Sequence, residues 1–163
     1  MWDVRGEVDL DRALWTIPGE RTKNGLTHVV PLSAAAIAIV EKWLGRAEDE
    51  ADAPLFCRTG TPIASNAIAQ AVRLKLQITE ESWTPHDIRR TVATGMAGQE
   101  IAPHIIEAVL NHISGFRSGV AGTYNRHRYE AEKRRALDIW AEHLDTTTTG
   151  RKAVVQPLKR KFV

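Results

Sequence analysis

Apolar and polar residues alternate in two short runs near the start of the chain, Ala13-Leu14-Trp15-Thr16-Ile17-Pro18 and Thr27-His28-Val29-Val30-Pro31-Leu32. Both runs are rich in aromatic and β-branched residues. Asn24-Gly25, a pair that tolerates positive φ, lies between them, which predicts an antiparallel hairpin with Lys23 at its tip. The pattern then changes to helical spacing. Ser33 is a predicted N-cap for a helix with Ala36, Ile39, Val40, Trp43 and Leu44 on one face. An acidic, Ala-rich loop from Glu48 to Pro54 leads into Leu55-Phe56-Cys57, a short strand or turn closed by Gly60 and Pro62. Ser65-Asn66 caps a second predicted helix through Ile68, Ala71, Val72 and Leu76. His86 to Gln99 is helical in composition, although Gly95 and Gly98 weaken it. Pro103 suits the first position of a further helix, with Ile105, Ile106, Val109 and Leu110 facing inward. Gly115 to Gly122 reads as a loop. From Tyr124 to Leu144 the pattern favours a last helix whose stripe is Tyr129, Ala136, Leu137, Trp140 and Leu144. The fold class implied is α+β, mostly α-helical, with a small antiparallel β-hairpin or sheet on the N-terminal side.

Composition narrows the setting. A chain of 163 residues with 43% hydrophobic content supports one core. The longest apolar stretch, Ala34 to Val40, is far below the roughly 20 residues of a membrane span. The acids and arginines among the first 20 residues predict no secretory signal, and Cys57 as sole cysteine predicts no disulfide framework and no multi-cysteine zinc site. His28, His104, His127 and His143 lack ligand spacing, so no metal and no cofactor is expected. A reducing cytoplasm is the matching expectation.

The formal charge of +2 is unevenly spread. Arg151, Lys152, Lys159, Arg160 and Lys161 carry the end of the chain, leaving 17 basic residues against 20 acids, about −3, over residues 1–145. That division predicts a domain over 1–145 followed by a basic, disordered tail over 146–163. Net charge alone does not mark a nucleic-acid binder, so the positions of the cations must decide.

Four polar features interrupt the helical plan: Lys23, the run Thr84-Pro85-His86-Asp87-Ile88-Arg89-Arg90-Thr91, the turn Leu110-Asn111-His112, and Tyr124-Asn125-Arg126. Each alone has a plain structural reading. Lys23 suits a solvated turn, His86 a helix start followed by a surface cation, His112 a helix C-terminus, and Tyr124 a core anchor with its hydroxyl bonded. Their order and spacing together resemble the tyrosine recombinase (phage integrase) family. In that family a hairpin lysine, a His-x-x-Arg box, a Leu-Gly-His-like box and a nucleophilic tyrosine follow in that sequence. The resemblance covers roughly residues 7–145, and the flanks Trp15-Thr16-Ile17-Pro18 and Asp138-Ile139-Trp140-Ala141 look like those of phage and genomic-island integrases.

What the resemblance implies is metal-free cleavage and rejoining of DNA through a 3′-phosphotyrosyl bond. Tyr124 would attack phosphorus, and Arg89 would bind the non-bridging oxygens. His112 would donate to a phosphate oxygen, His86 would handle a proton, and Lys23 would protonate the departing 5′ oxygen. Arg21, Arg90, Arg126 and Arg128 are further candidate DNA contacts. Lys133, Arg134 and Arg135 fit phosphate contacts and solvated helix charge equally well. The implied partners are double-stranded DNA at attachment sites, a tetramer of the chain on that DNA, and accessory excision or DNA-bending proteins.

Two departures from the family pattern stand out. Asn111 occupies the place where the third box usually has Gly. A further family arginine, in a Thr-Gly-Leu-Arg-like box upstream of the lysine, has no equivalent, since neither Arg5 nor Arg12 sits in such a box. The chain therefore reads as the C-terminal part of a longer integrase beginning just after that box. Loss of one such donor commonly costs about 100- to 1,000-fold in rate. A non-catalytic DNA-binding or regulatory fragment is thus the alternative expectation, with relaxation of the type IB topoisomerase kind a more distant one.

Overall fold

A computed structural model describes residues 5–44, 54–58, 61–63, 67, 70, 84–112 and 128–150. Its first feature is a three-stranded antiparallel sheet in the order β1 (Val8–Asp9), β2 (Leu14–Ile17), β3 (His28–Pro31). β2 and β3 pair from Leu14 opposite Pro31 to Ile17 opposite His28, which is the expected hairpin. The connection between them, however, runs from Pro18 to Thr27 and includes a 3-10 turn at Gly19–Arg21. Asn24-Gly25 sits inside that longer connection rather than closing a two-residue turn, and Gly25 adopts φ +70°. Lys23 is exposed there. β1 joins the sheet through a turn in which the Ala13 N–H donates to the Leu10 carbonyl at 3.2 Å.

The first helix, α1 (Ala34–Leu44), starts as predicted, with the Ser33 carbonyl accepting from the Ile37 N–H at 2.9 Å. Its buried face is centred on Val40, 4% exposed, whereas Ile39 is 57% exposed and leaves the predicted face. Ala34 to Val40 is apolar at every position, so the sequence contains no polar residue to set the phase of the helix. Phe56 stands between the sheet and α1, its ring centroid 6.2 Å from Trp15 and 5.7 Å from Trp43. The short strand expected after Leu55 is β4 (Cys57–Arg58), paired with β5 (Thr61–Pro62). Of the helix expected through Ile68, Ala71, Val72 and Leu76, those four positions lie outside the described residues.

Further helices among the described residues are α2 (Pro85–Gly98), α3 (Pro103–Val109) and α4 (Glu130–Thr149). Pro103 opens α3 as predicted, and Ile105, Ile106 and Ala108 are buried. α4 packs across α3, α2 and β3. Where it crosses α2, Trp140 lies directly over Gly95, and a Cβ there would meet the Trp140 ring at 2.3 Å. The glycine that lowers intrinsic helix propensity is therefore the one that lets the two helices approach, beside the fully buried Met96.

Three expectations about α4 are corrected. The helix starts at Glu130, with Tyr129 outside it at φ 51°, packed against His104 at 5.3 Å. Leu144, assigned to the inner stripe, is 44% exposed. Residues 146–149, expected to be disordered, are helical, since the helix continues to Thr149. Each of the four threonine hydroxyls there donates to the carbonyl four residues back, at 2.6–2.8 Å, and Gly150 closes the end in a left-handed conformation.

Candidate active site

α2 begins with a well-fixed first turn. Asp87 Oδ2 accepts from the Thr84 N–H at 2.9 Å and from the Thr84 hydroxyl at 2.8 Å. Those two bonds hold the Asp87 carboxyl below its usual pKa, and the charges of Arg90 and His86 act in the same direction. His86 is exposed in this turn. Arg89 follows at i+3, also exposed, so the two side chains rise from neighbouring positions on the helix surface.

The end of α3 explains why Asn111 can stand where the family favours Gly. Asn111 adopts φ 51°, the left-handed conformation that ends many helices and that Asn tolerates better than most side chains. The Leu110 N–H donates to the Ile106 carbonyl at 2.9 Å, and the His112 N–H donates to the Glu107 carbonyl at 2.9 Å. This closing motif sets the backbone from which the exposed His112 side chain projects.

Three other parts of the chain reach this helix end. The Arg89 guanidinium donates to the Leu110 carbonyl. His28 Nε2 lies 3.1 Å from the Val109 carbonyl, and since a carbonyl only accepts, this nitrogen carries the proton. Asn24 Nδ2 donates to Asn111 Oδ1 at 2.8 Å, joining the connection that carries Lys23 to the turn that carries His112. The bonds to the Val109 and Leu110 carbonyls come from groups suited to the negative end of a helix dipole. A cleft of about 420 Å³ opens beside the turn, lined by Gly25, His28, Asn111, Arg128, Glu130 and Lys133.

The expected site residues thus fall into groups. Lys23, Arg89 and His112 belong to elements that meet at the end of α3. His86 lies one turn before Arg89. Tyr124 and Arg126 lie outside the described residues. Arg128 is exposed at the cleft, and Arg90 is exposed with its guanidinium 3.8 Å from Asp87 Oδ1. Arg21 is engaged in an ion pair within the chain. Its guanidinium pairs with Glu7 Oε1 at 2.5 Å, both side chains being only 9% exposed, while Trp15 Nε1 donates to Glu7 Oε2 at 3.1 Å. Arg5 belongs to a 3-10 turn at Arg5–Glu7, and Arg12 lies exposed in the β1–β2 turn.

Lys133 and the half-buried Arg134 bond to backbone carbonyls within the chain. Lys133 is 5% exposed and donates to the Val29 carbonyl, and Arg134 donates to the Arg12 and Ala13 carbonyls at 3.0 and 3.3 Å. Sequence reasoning gave Asn24 only a turn role and passed over Glu7 and the buried state of Lys133. For Asn111 a signal did exist, since Asn after an amphipathic helix is the next-best left-handed cap to Gly. Among the described residues no group of three or more His, Cys, Asp or Glu could hold a metal ion, and no helix is long and apolar enough to cross a membrane.

With this geometry in hand, comparison with known proteins identifies the class. The model of the phage integrase family matches residues 4–130, and the chain belongs to that family. It is similar to the prophage integrase IntA of Escherichia coli (strain K12), 30% identical over 153 residues that cover 91% of this chain and 35% of the relative. The integrase of Shigella phage Sf6 is 28% identical over 141 residues, covering 85% of this chain and 35% of that protein. The prophage integrase IntZ of Escherichia coli (strain K12) is 27% identical over 152 residues, covering 92% and 36%. The chain therefore spans about a third of the length of these relatives. No solved structure matches it.

Proposed function

We propose that this chain is the catalytic domain of a site-specific DNA recombinase that integrates or excises mobile DNA. The observation that carries the reading is the meeting of the Lys23 connection, Arg89 and the His112 turn at the end of α3, through Asn24–Asn111 and Arg89–Leu110. Family membership and the order of the four boxes support it as well.

In this reading the Tyr124 oxygen bonds to phosphorus, and the bond from phosphorus to the 5′ oxygen breaks. The Tyr124 proton passes toward His86, because a phenol with a reference pKa of about 10 is a weak nucleophile at neutral pH. Lys23 delivers a proton to the departing 5′ oxygen. Arg89 and His112 take up the charge on the non-bridging oxygens. The 3′-phosphotyrosyl bond conserves the phosphodiester energy, so rejoining reverses these steps. The substrate is double-stranded DNA at an attachment site in a bacterial cytoplasm, and the working form is a tetramer on DNA with accessory excision or bending proteins. Arg90, Arg126 and Arg128 add contacts to the sugar-phosphate backbone.

The test is a denaturing-gel assay for a covalent protein–DNA adduct on nicked duplexes built from the junctions of the host element. Wild type gives an adduct and Tyr124→Phe gives none, while both retain DNA binding. Binding without an adduct in either chain replaces the reading with that of a DNA-binding fragment. Relaxation of an arbitrary supercoiled plasmid replaces it with a topoisomerase.

A further inference from the structure

The connection between β2 and β3 is braced internally. The Thr22 N–H donates to the Gly19 carbonyl at 3.0 Å, and the Thr22 hydroxyl lies 2.8 Å from the Leu26 carbonyl. Asn24 Oδ1 accepts from the Leu26 N–H at 3.1 Å. That bond uses the oxygen of the Asn24 amide, so the amide nitrogen is the atom that faces Asn111 Oδ1. The resulting 2.8 Å bond spans 87 positions of sequence and joins side chains adjacent to Lys23 on one element and to His112 on the other. Asn111 meets two requirements here. Its left-handed backbone ends α3, and its side chain supplies an acceptor that the Gly usual in the family lacks.

We propose that Asn24 and Asn111 form a latch that positions Lys23 for proton delivery to the departing 5′ oxygen. The inference rests on the reading given above and deepens it: Asn24 and Asn111 are positioning residues acting through Lys23. Lys23 is exposed within a ten-residue connection, and a fixed anchor one residue away reduces the freedom of its side chain.

The test compares wild type, Asn24→Ala, Asn111→Gly and the double variant on two substrates. One is the ordinary nicked duplex, and the other carries sulfur in place of the 5′-bridging oxygen at the scissile phosphate. A thiolate leaves without being protonated, so the second substrate removes the need for a proton from Lys23. Asn111→Gly is suited to the purpose because Gly adopts the left-handed cap without strain. On the ordinary duplex each single variant is expected to form adduct about tenfold more slowly, the double variant no more slowly than either, as groups acting through one contact do. On the sulfur-containing duplex all four are expected to match wild type. A loss that persists on that duplex means that the substitutions disturb Arg89 or His112 instead, and overturns the proposal. Equal rates for all four on the ordinary duplex overturn it as well. A wild-type chain that cleaves neither substrate overturns both the positioning role and the function on which it rests.

Urea unfolding of the same four proteins supplies a readout independent of cleavage. Nonadditive effects of the two substitutions are expected, and strictly additive effects show that the side chains do not interact, which overturns the latch.

Discussion

Where α4 crosses the sheet, Lys133 is buried against the Val29 carbonyl and Arg134 reaches the carbonyls of Arg12 and Ala13. At the end of α3, Arg89 and His112 stay exposed while the backbone beneath them is closed by its own hydrogen bonds. The two regions use similar residue types for opposite purposes. A cation whose donors face carbonyls of the sheet and its turns fastens a helix to that sheet. Arg89 also donates to a carbonyl, that of Leu110, but its side chain is exposed and its guanidinium has further N–H donors. Formal charge does not separate the two groups, which is why the slight excess of acids over residues 1–145 says little about DNA.

This contrast can be broken by substitution. Arg89→Ala should lower adduct formation by about 100- to 1,000-fold, the loss typical of a transition-state donor, with a urea midpoint close to that of wild type. Lys133→Ala should do the reverse. Removing a buried stem and a charged donor should cost on the order of 3 kcal/mol in unfolding free energy, while the folded fraction binds DNA as wild type does. Arg21→Ala should cost a similar amount, on the order of 3 kcal/mol, by leaving the Glu7 carboxylate poorly solvated and without its guanidinium. If Lys133→Ala instead weakened DNA binding at unchanged stability, the division between fastening and free cations would fail.

Packing supplies a smaller effect. Gly95→Ala places a methyl group against the Trp140 ring and should destabilise by about 2 kcal/mol in urea unfolding, with part of that recovered when Trp140 is shortened to Leu.

The smallest effect concerns the start of α2. The Asp87 carboxyl titrates below its ordinary value of 3.8 because the Thr84 hydroxyl and N–H donate to it. A carboxyl whose folded pKa is lowered contributes stability above its unfolded value and loses that contribution as pH falls through the folded value. Stability of Asp87→Asn should therefore change less than that of wild type as pH falls below the ordinary carboxyl value of 3.8. An NMR titration should show the carboxyl moving back toward 3.8 in Thr84→Ala.

Much of the fold was readable because its signals are local. The alternation at 13–18 and 27–32, Ser33 before an apolar run, and Pro103 at a helix start each depend on a few neighbouring residues. Those elements appear as β2, β3, α1 and α3. Failures occurred where the local pattern was silent or its reward came from elsewhere. Ile39 lies in a stretch apolar on every side, so only contact with the sheet and Phe56 chooses which face is buried. Gly95 looks like a flaw in α2 until Trp140 arrives. The threonines at 146–149 are poor helix formers whose hydroxyls nonetheless bond back along α4.

For the candidate site, the sequence by itself determined the inventory of candidates and their order: Lys23, the His86–Arg89 spacing, Asn111-His112, and Tyr124. Residue chemistry and short spacings are properties of the chain before it folds. The tertiary structure decided which cations are committed to the framework and which remain exposed. Arg21, Lys133 and Arg134 went to the framework, where the Glu7 carboxylate, the Val29 carbonyl and the turn carbonyls of Arg12 and Ala13 accept from them. It also decided that Asn24 and Asn111, 87 positions apart, share a hydrogen bond. No local rule encodes that pairing, since it closes only when the connection beside the sheet is brought against the end of α3.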